Sequence, residues 1–178
     1  MNAVLLAYVL GMVLILGGGL LLKVKEQYEK KCYGFLRNNF YAYLLFGLAC
    51  CWFLIKIAHL GEADFGQYKN WLLGLFLFSF IGCGIYWRDF LVVRGIAMLI
   101  LMGIDALLDC NYMSDVAVSP VISLFFYGII ILTLFFGTYP YRVRDVLPVL
   151  FGKKCRLVKY IGLFCIIYGV GLIGLAQL

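Results

Sequence analysis

Charged residues and histidine are scarce in this sequence. Only 13% of its 178 residues are Asp, Glu, Lys or Arg, whereas soluble domains average about 25%. Apolar residues make up 65% of the chain, and the mean hydropathy is +1.02. A soluble domain needs a polar shell, which this composition cannot supply. The composition therefore excludes a water-soluble globular domain, and it equally excludes a disordered chain.

The single histidine, His59, excludes several activities. One histidine cannot provide bis-histidine haem ligation or a multi-histidine metal centre within the chain. The sequence also lacks an HExxH motif, a P-loop and a CxxC pair, which are the patterns of zinc peptidases, nucleotide-binding proteins and thiol oxidoreductases. We therefore expect no catalytic residues, no metal and no cofactor, and these absences disfavour an enzyme.

Long apolar runs divide the chain. A hydrocarbon core about 30 Å thick requires about 20 apolar residues per helix. The runs are apolar on all sides, whereas barrel strands alternate between polar and apolar residues. The sequence therefore predicts an all-α, polytopic integral membrane protein: a six-transmembrane-helix bundle with short loops, forming a single membrane domain over residues 1–178. The predicted spans cover residues 3–22, 40–58, 71–87, 90–108, 120–139 and 160–178.

The basic residues predict the topology. With six spans, all Lys and Arg residues except Lys56 and Lys69 fall on one side of the membrane. Basic loops mark the cytoplasmic side, so we expect a bacterial inner (plasma) membrane protein with both termini on the non-cytoplasmic side. The net charge of +6 then encodes topology, and we expect no nucleic-acid partner.

Small residues line one face of the first span and one face of the last. Helices associate in lipid through close packing of such residues. The two faces either pack within the chain or dock a partner subunit, and the sequence leaves both possibilities open. Their residues are Ala3, Ala7, Gly11 and Gly18 in the first span, and Gly162, Cys165 and Gly169 in the last.

Four ionisable residues form a candidate intramembrane polar group. Lys56 and His59 share a face near the outer end of the second span, and Asp105 and Asp109 share a face of the fourth. Because charges are costly inside a membrane, each requires a partner or a water-filled cavity. The similar depths allow Lys56–Asp105 and His59–Asp109 pairs. Such pairs would either fix the register of the two helices or form a proton or ion pathway.

The loops contain two further polar groups. Glu62, Asp64 and Asp115 form a candidate outer acidic cluster; with His59 and Asp109 its ligand types would suit Ca²⁺ or Mn²⁺, but the spacing matches no metal motif and a solvated loop explains it better. Basic residues at the inner interface are expected to meet lipid headgroups. These residues are Arg94, Arg142, Arg144, Lys153, Lys154 and Arg156.

The segment 141–151, which contains Arg142 and Arg144, mixes charged with apolar residues. Pro148 limits any helix there, so the sequence predicts a short interfacial element rather than a long helix.

Three functions are consistent with these features. The first is a structural or accessory subunit of a membrane complex, with membrane lipids and other membrane protein subunits, in a homo- or hetero-oligomer, as partners. The alternative is a small proton- or ion-coupled transporter that uses Lys56, His59, Asp105 and Asp109. A weaker alternative is a membrane enzyme that acts on a lipid-linked substrate.

Overall fold

The fold is a bundle of α-helices, seen here in a computed structural model. The structure describes residues 3–24, 27–36, 38–61, 66–86, 90–112, 116 and 118–177, and this part of the chain contains no strand. A short 3₁₀ turn, Gly66–Tyr68, precedes the fourth helix. The α-helices are α1 (Ala3–Leu22), α2 (Gln27–Leu36), α3 (Asn39–Ala58), α4 (Lys69–Tyr86), α5 (Leu91–Asn111), α6 (Ser119–Thr138) and α7 (Tyr141–Leu175).

Six helices in the described part of the chain are long and apolar enough to cross a membrane. This confirms the predicted six-helix membrane bundle. The last of them begins at Cys155, five residues before the predicted start of the sixth span. The short α2 lies between the first and second of these helices.

The glycines of α1 and α7 bring two backbones into contact. A Cβ atom built on Gly11 would lie 3.0 Å from the carbonyl oxygen of Gly169, and one built on Gly169 would lie 2.8 Å from the carbonyl oxygen of Gly11. Likewise, a Cβ atom on Gly18 would lie 2.6 Å from the carbonyl oxygen of Gly162, and one on Gly162 would lie 2.9 Å from the carbonyl oxygen of Gly18. From Gly11 to Gly18 the residue number in α1 rises by seven, while that of the contacting glycine in α7 falls by seven, from 169 to 162. The two helices therefore run antiparallel. We call this contact the glycine seam.

A second close approach joins α3 to α5. A Cβ atom on Gly95 would lie 2.8 Å from the backbone nitrogen of Phe46. Ten residues further along both helices, Lys56 meets Asp105. The two pairs have the same separation in sequence, so α3 and α5 run parallel and keep one register over three turns.

Two ends of the bundle can be distinguished. We call the end where α2 and the first turns of α5 and α7 lie the basic end. At the opposite end, Asn111 Nδ2 donates to the carbonyl of Ser119 and to Ser123 Oγ, each over 3.0 Å. The Tyr168 hydroxyl donates to the carbonyl of Val121 over 2.7 Å. These bonds connect α5 and α7 to α6 around a buried apolar cluster of Leu6, Ala7, Ile104, Val118, Ile122, Phe126 and Leu172.

Helix α7 corrects one prediction. Pro148 was expected to limit any helix in the segment 141–151, but α7, which is 35 residues long, runs through it. Proline has no N–H to donate to the carbonyl four residues earlier, which is that of Arg144. The Tyr33 hydroxyl of α2 donates to this carbonyl over 3.0 Å. A neighbouring helix thus satisfies the acceptor that Pro148 leaves open.

The regular geometry of α7 is instead interrupted at Cys155, whose φ of 54° lies in the left-handed region. This conformation is unfavourable for a residue with a Cβ atom. It separates residues 141–151, which we call the arm, from the span Cys155–Leu175.

The glycine seam predicts the effect of adding one methyl group. Gly18→Ala places a Cβ 2.6 Å from the Gly162 carbonyl oxygen, so the backbones must separate and the bundle should lose about 1–3 kcal/mol of stability. Thermal or denaturant unfolding in detergent measures this loss. Gly17→Ala is the matched control, because nothing lies within 4 Å of its Cβ, and we expect it to be neutral or slightly stabilising. Equal effects of the two changes would refute the seam.

Candidate functional site

Lys56 and Asp105 form an ion pair between α3 and α5. The Nζ atom of Lys56 donates to Oδ2 of Asp105. Lys56 lies in the last turn of α3, whereas Asp105 lies six residues before the end of α5, about 9 Å along the helix. A helical side chain leans toward the N-terminus of its own helix. The lysine therefore points from the end of α3 into the span, where it meets the shorter aspartate.

The pair lies on the outside of the bundle. The side chain of Lys56 is 39% exposed and that of Asp105 is 56% exposed. Charged residues in membrane spans usually face the bundle interior or a water-filled cavity. This arrangement departs from that rule, because the carboxylate at membrane depth is shielded on one side only.

His59 does not complete a second pair. Its Nδ1 atom lies 2.8 Å from the carbonyl oxygen of Ile55, one turn back on the same helix. His59 is the residue that ends α3, and the last carbonyls of a helix lack partners within it. Within the described residues no hydrogen bond or ion pair joins His59 to Asp109, although both are exposed. The four predicted residues therefore form one ion pair and two separate polar side chains.

The other predicted polar residues form no site in the described chain. Glu62, Asp64 and Asp115 lie outside the described residues, as do the side chains of Lys153 and Lys154. The described ranges contain no group of three or more His, Cys, Asp or Glu side chains that could hold a metal ion.

At the basic end, Arg142, Arg144 and Arg156 are exposed, and Arg94 is half-buried on α5. The Nε atom of Arg144 lies 3.8 Å from Oδ1 of Asp145, its chain neighbour. This contact leaves most of the guanidinium group open to the surroundings.

The small-residue faces of the first and last spans lie against each other. Gly11 and Gly18 meet Gly169 and Gly162 in the glycine seam, and Cys165 Cβ lies 3.3 Å from the Cβ position of Gly18. Ala7 is fully buried nearby, and the side chain of Ala3 lies outside the described residues. The described part of both faces is used inside the chain and is not free for a partner.

Sequence reasoning missed an apolar cavity of about 290 Å³ at the basic end. Val143, Val146, Leu147 and Leu150 of the arm form one of its walls. Their spacing is that of one apolar helix face, and this spacing could have indicated the cavity wall from the sequence. The expectation that Pro148 limits any helix there obscured it.

A double-mutant cycle tests the energetics of the ion pair. Lys56→Met leaves Asp105 unpaired at membrane depth, whereas Asp105→Leu leaves a lysine whose long stem can carry its charge toward the interface. We expect Lys56→Met to cost more stability, about 1–3 kcal/mol, and the double variant to cost less than the sum of the two. Unfolding in detergent or bicelles measures all three variants. Additive costs would show that the two side chains do not interact.

Comparison of the sequence with known protein families gives no match, and comparisons with curated proteins and with solved structures give none either.

Proposed function

We propose that this chain is a structural or accessory subunit of a membrane complex, and that a partner subunit covers the Lys56–Asp105 pair. The exposure of this pair on the outside of α3 and α5 carries the proposal. The lipids and the other membrane protein subunits of a homo- or hetero-oligomer are its expected partners.

The cost of the exposed pair supports a protein neighbour. An aspartate in a transmembrane helix costs up to about 2.5–3.5 kcal/mol at the membrane centre on insertion scales. Pairing with Lys56 lowers this cost, but lipid offers no hydrogen-bond donor for the remaining side of the Asp105 carboxylate. A polar side chain from a neighbouring helix would supply one.

The other surfaces of the bundle favour the same location. The small-residue faces of α1 and α7 are occupied by each other, so they leave no smooth face for a partner. Helix α4 has no buried residue and packs mainly against α3. It is apolar enough to face lipid on its own, so it does not require a protein neighbour. The Lys56–Asp105 pair does require one.

The transporter alternative requires the same neighbour. Transporter sites lie inside a bundle near the membrane midplane, but this pair lies on the outside and near one end. An ion pathway past Asp105 would therefore run between this chain and a second one. For the enzyme alternative, the apolar cavity at the basic end offers no acid or base, since Thr133 is the one polar residue of its described lining.

The charge distribution supports a proposed orientation. Tyr33 and the exposed Arg142, Arg144 and Arg156 lie at the same end of the bundle. Following the positive-inside rule, we place this end in the cytoplasm of a bacterial inner membrane and both termini on the other side.

Chemical cross-linking in native membranes tests the proposal. A photoreactive residue at Asp109, one turn from Asp105 on the exposed face of α5, should give one defined product at a fixed ratio with its partner. Removal of the charges by Lys56→Gln with Asp105→Asn should lower the yield of that product by about tenfold, because the partner then loses its charged contact.

A matched control removes one cation and one anion at the basic end. Lys23→Gln with Asp145→Asn makes the same charge change outside the spans, and it should leave the yield unchanged. Recovery of a stable monomer in mild detergent, with no cross-linked product from membranes, would contradict the proposed subunit. An equal loss with both double variants would contradict the proposed location.

A further inference from the structure

The basic end of the bundle contains an apolar cavity of about 290 Å³. Its walls come from the first three turns of α5, the last two turns of α6 and the arm of α7, with Leu36 of α2 at one edge. All of its lining residues except Thr133 are hydrophobic. Since α5 begins and α6 ends at the basic end, the cavity lies within the half of the membrane nearest to it.

The arm is amphipathic across this cavity. Val143, Val146 and Leu147 line the cavity, while Arg142 and Arg144 are exposed. Such a helix lies along a membrane interface with its arginines among the headgroups. The bond from the Tyr33 hydroxyl to the Arg144 carbonyl ties the arm to α2. The arm is therefore a fixed wall, with a cationic outer face and an apolar inner one.

Thr133 gives an independent indication of a ligand. The residue is only 7% exposed, and it lines the cavity. Its hydroxyl makes no hydrogen bond within the described residues and is open to the cavity. A hydroxyl in apolar surroundings is normally bonded, and a threonine in a helix commonly bonds to the carbonyl one turn back. A ligand with one acceptor beside a long apolar body would satisfy it, and the ester carbonyl above an acyl chain is such an acceptor.

We propose that this cavity binds an acyl chain of an anionic phospholipid, whose headgroup is attracted by the charges of Arg142 and Arg144 on the arm. The cavity lies at the level in the membrane that acyl chains occupy, and its lining is apolar. The two guanidinium groups, which project from different sides of the arm, supply complementary charge at the level of the phosphates. This site lies far from the Lys56–Asp105 pair, at the other end of the bundle, and does not depend on the proposed subunit function.

Native mass spectrometry of the full chain tests the lipid site. The purified protein is incubated with phosphatidylglycerol or with phosphatidylcholine that carries the same chains. We expect one phosphatidylglycerol to be retained, with phosphatidylcholine retained about tenfold less. Arg142→Gln with Arg144→Gln should remove this preference. Equal retention of the two lipids by the wild-type chain would overturn the proposal.

Two tryptophan variants of the arm separate the cavity from the outer surface. Val146→Trp fills the cavity and should lower phosphatidylglycerol retention by about tenfold. Val149→Trp makes the same change on the exposed face and should leave retention within about twofold. Equal retention by the two variants would contradict the cavity as the site.

A measurement on the wild-type chain covers the case in which Val146→Trp does not fold. A phosphatidylglycerol with a photoreactive group in its acyl chain should label residues of the cavity wall, such as Ile96 and Ala97. Labelling confined to lipid-facing residues outside the cavity, such as Leu16 or Phe78, would overturn the proposal.

Discussion

Backbone contact between α1 and α7 closes this bundle. Lipid tails are as apolar as leucine, so hydrophobic burial does not hold membrane helices together, and dispersion contacts at short range must do so. Four glycines, at positions 11, 18, 162 and 169, let the two helices approach until each Cβ position meets the partner's carbonyl oxygen. The buried cluster that contains Leu6 and Leu172 forms beside this contact and adds α5 and α6 to it. The antiparallel direction of the seam also requires that the chain return to its starting side, which the six spans achieve.

The second glycine contact determines where the charges lie. Gly95 against Phe46 sets the register of α3 and α5, and that register brings Lys56 to Asp105 ten residues later. The pair is therefore a consequence of helix packing near the basic end. The side chains of the pair are 39% and 56% exposed, so the pair remains on the surface, where the proposed partner would bind. The lipid cavity belongs to the other end, between the first turns of α5, the last turns of α6 and the arm of α7.

Much of the fold could be predicted from the sequence, because span length and apolar composition are local properties. The six spans and the shared depth of Lys56 and Asp105 follow from counting residues along helices. Which face meets which helix is not local, so the sequence could not decide whether the glycines of α1 meet α7 or a partner. The local rule for proline also failed at Pro148, because Tyr33, which lies 111 residues from Arg144, satisfies the open carbonyl. His59 likewise bonds to its own helix end rather than to Asp109, a choice that depends on the final orientation of both helices.

The most direct test of this account is a cross-link across the glycine seam. Leu14 Cβ lies 3.3 Å from the Cβ position of Gly169, and Cys165 lies one turn from Gly169 on the same face of α7. In a chain whose other six native cysteines are replaced by alanine, Leu14→Cys should react with Cys165 through a short bifunctional thiosulfonate. The account predicts an intrachain product that runs as a monomer and yields a peptide pair joining residues 14 and 165, whereas Leu16→Cys, on the exposed face of α1, gives none. A product that joins two chains, or equal reaction at both positions, would contradict it.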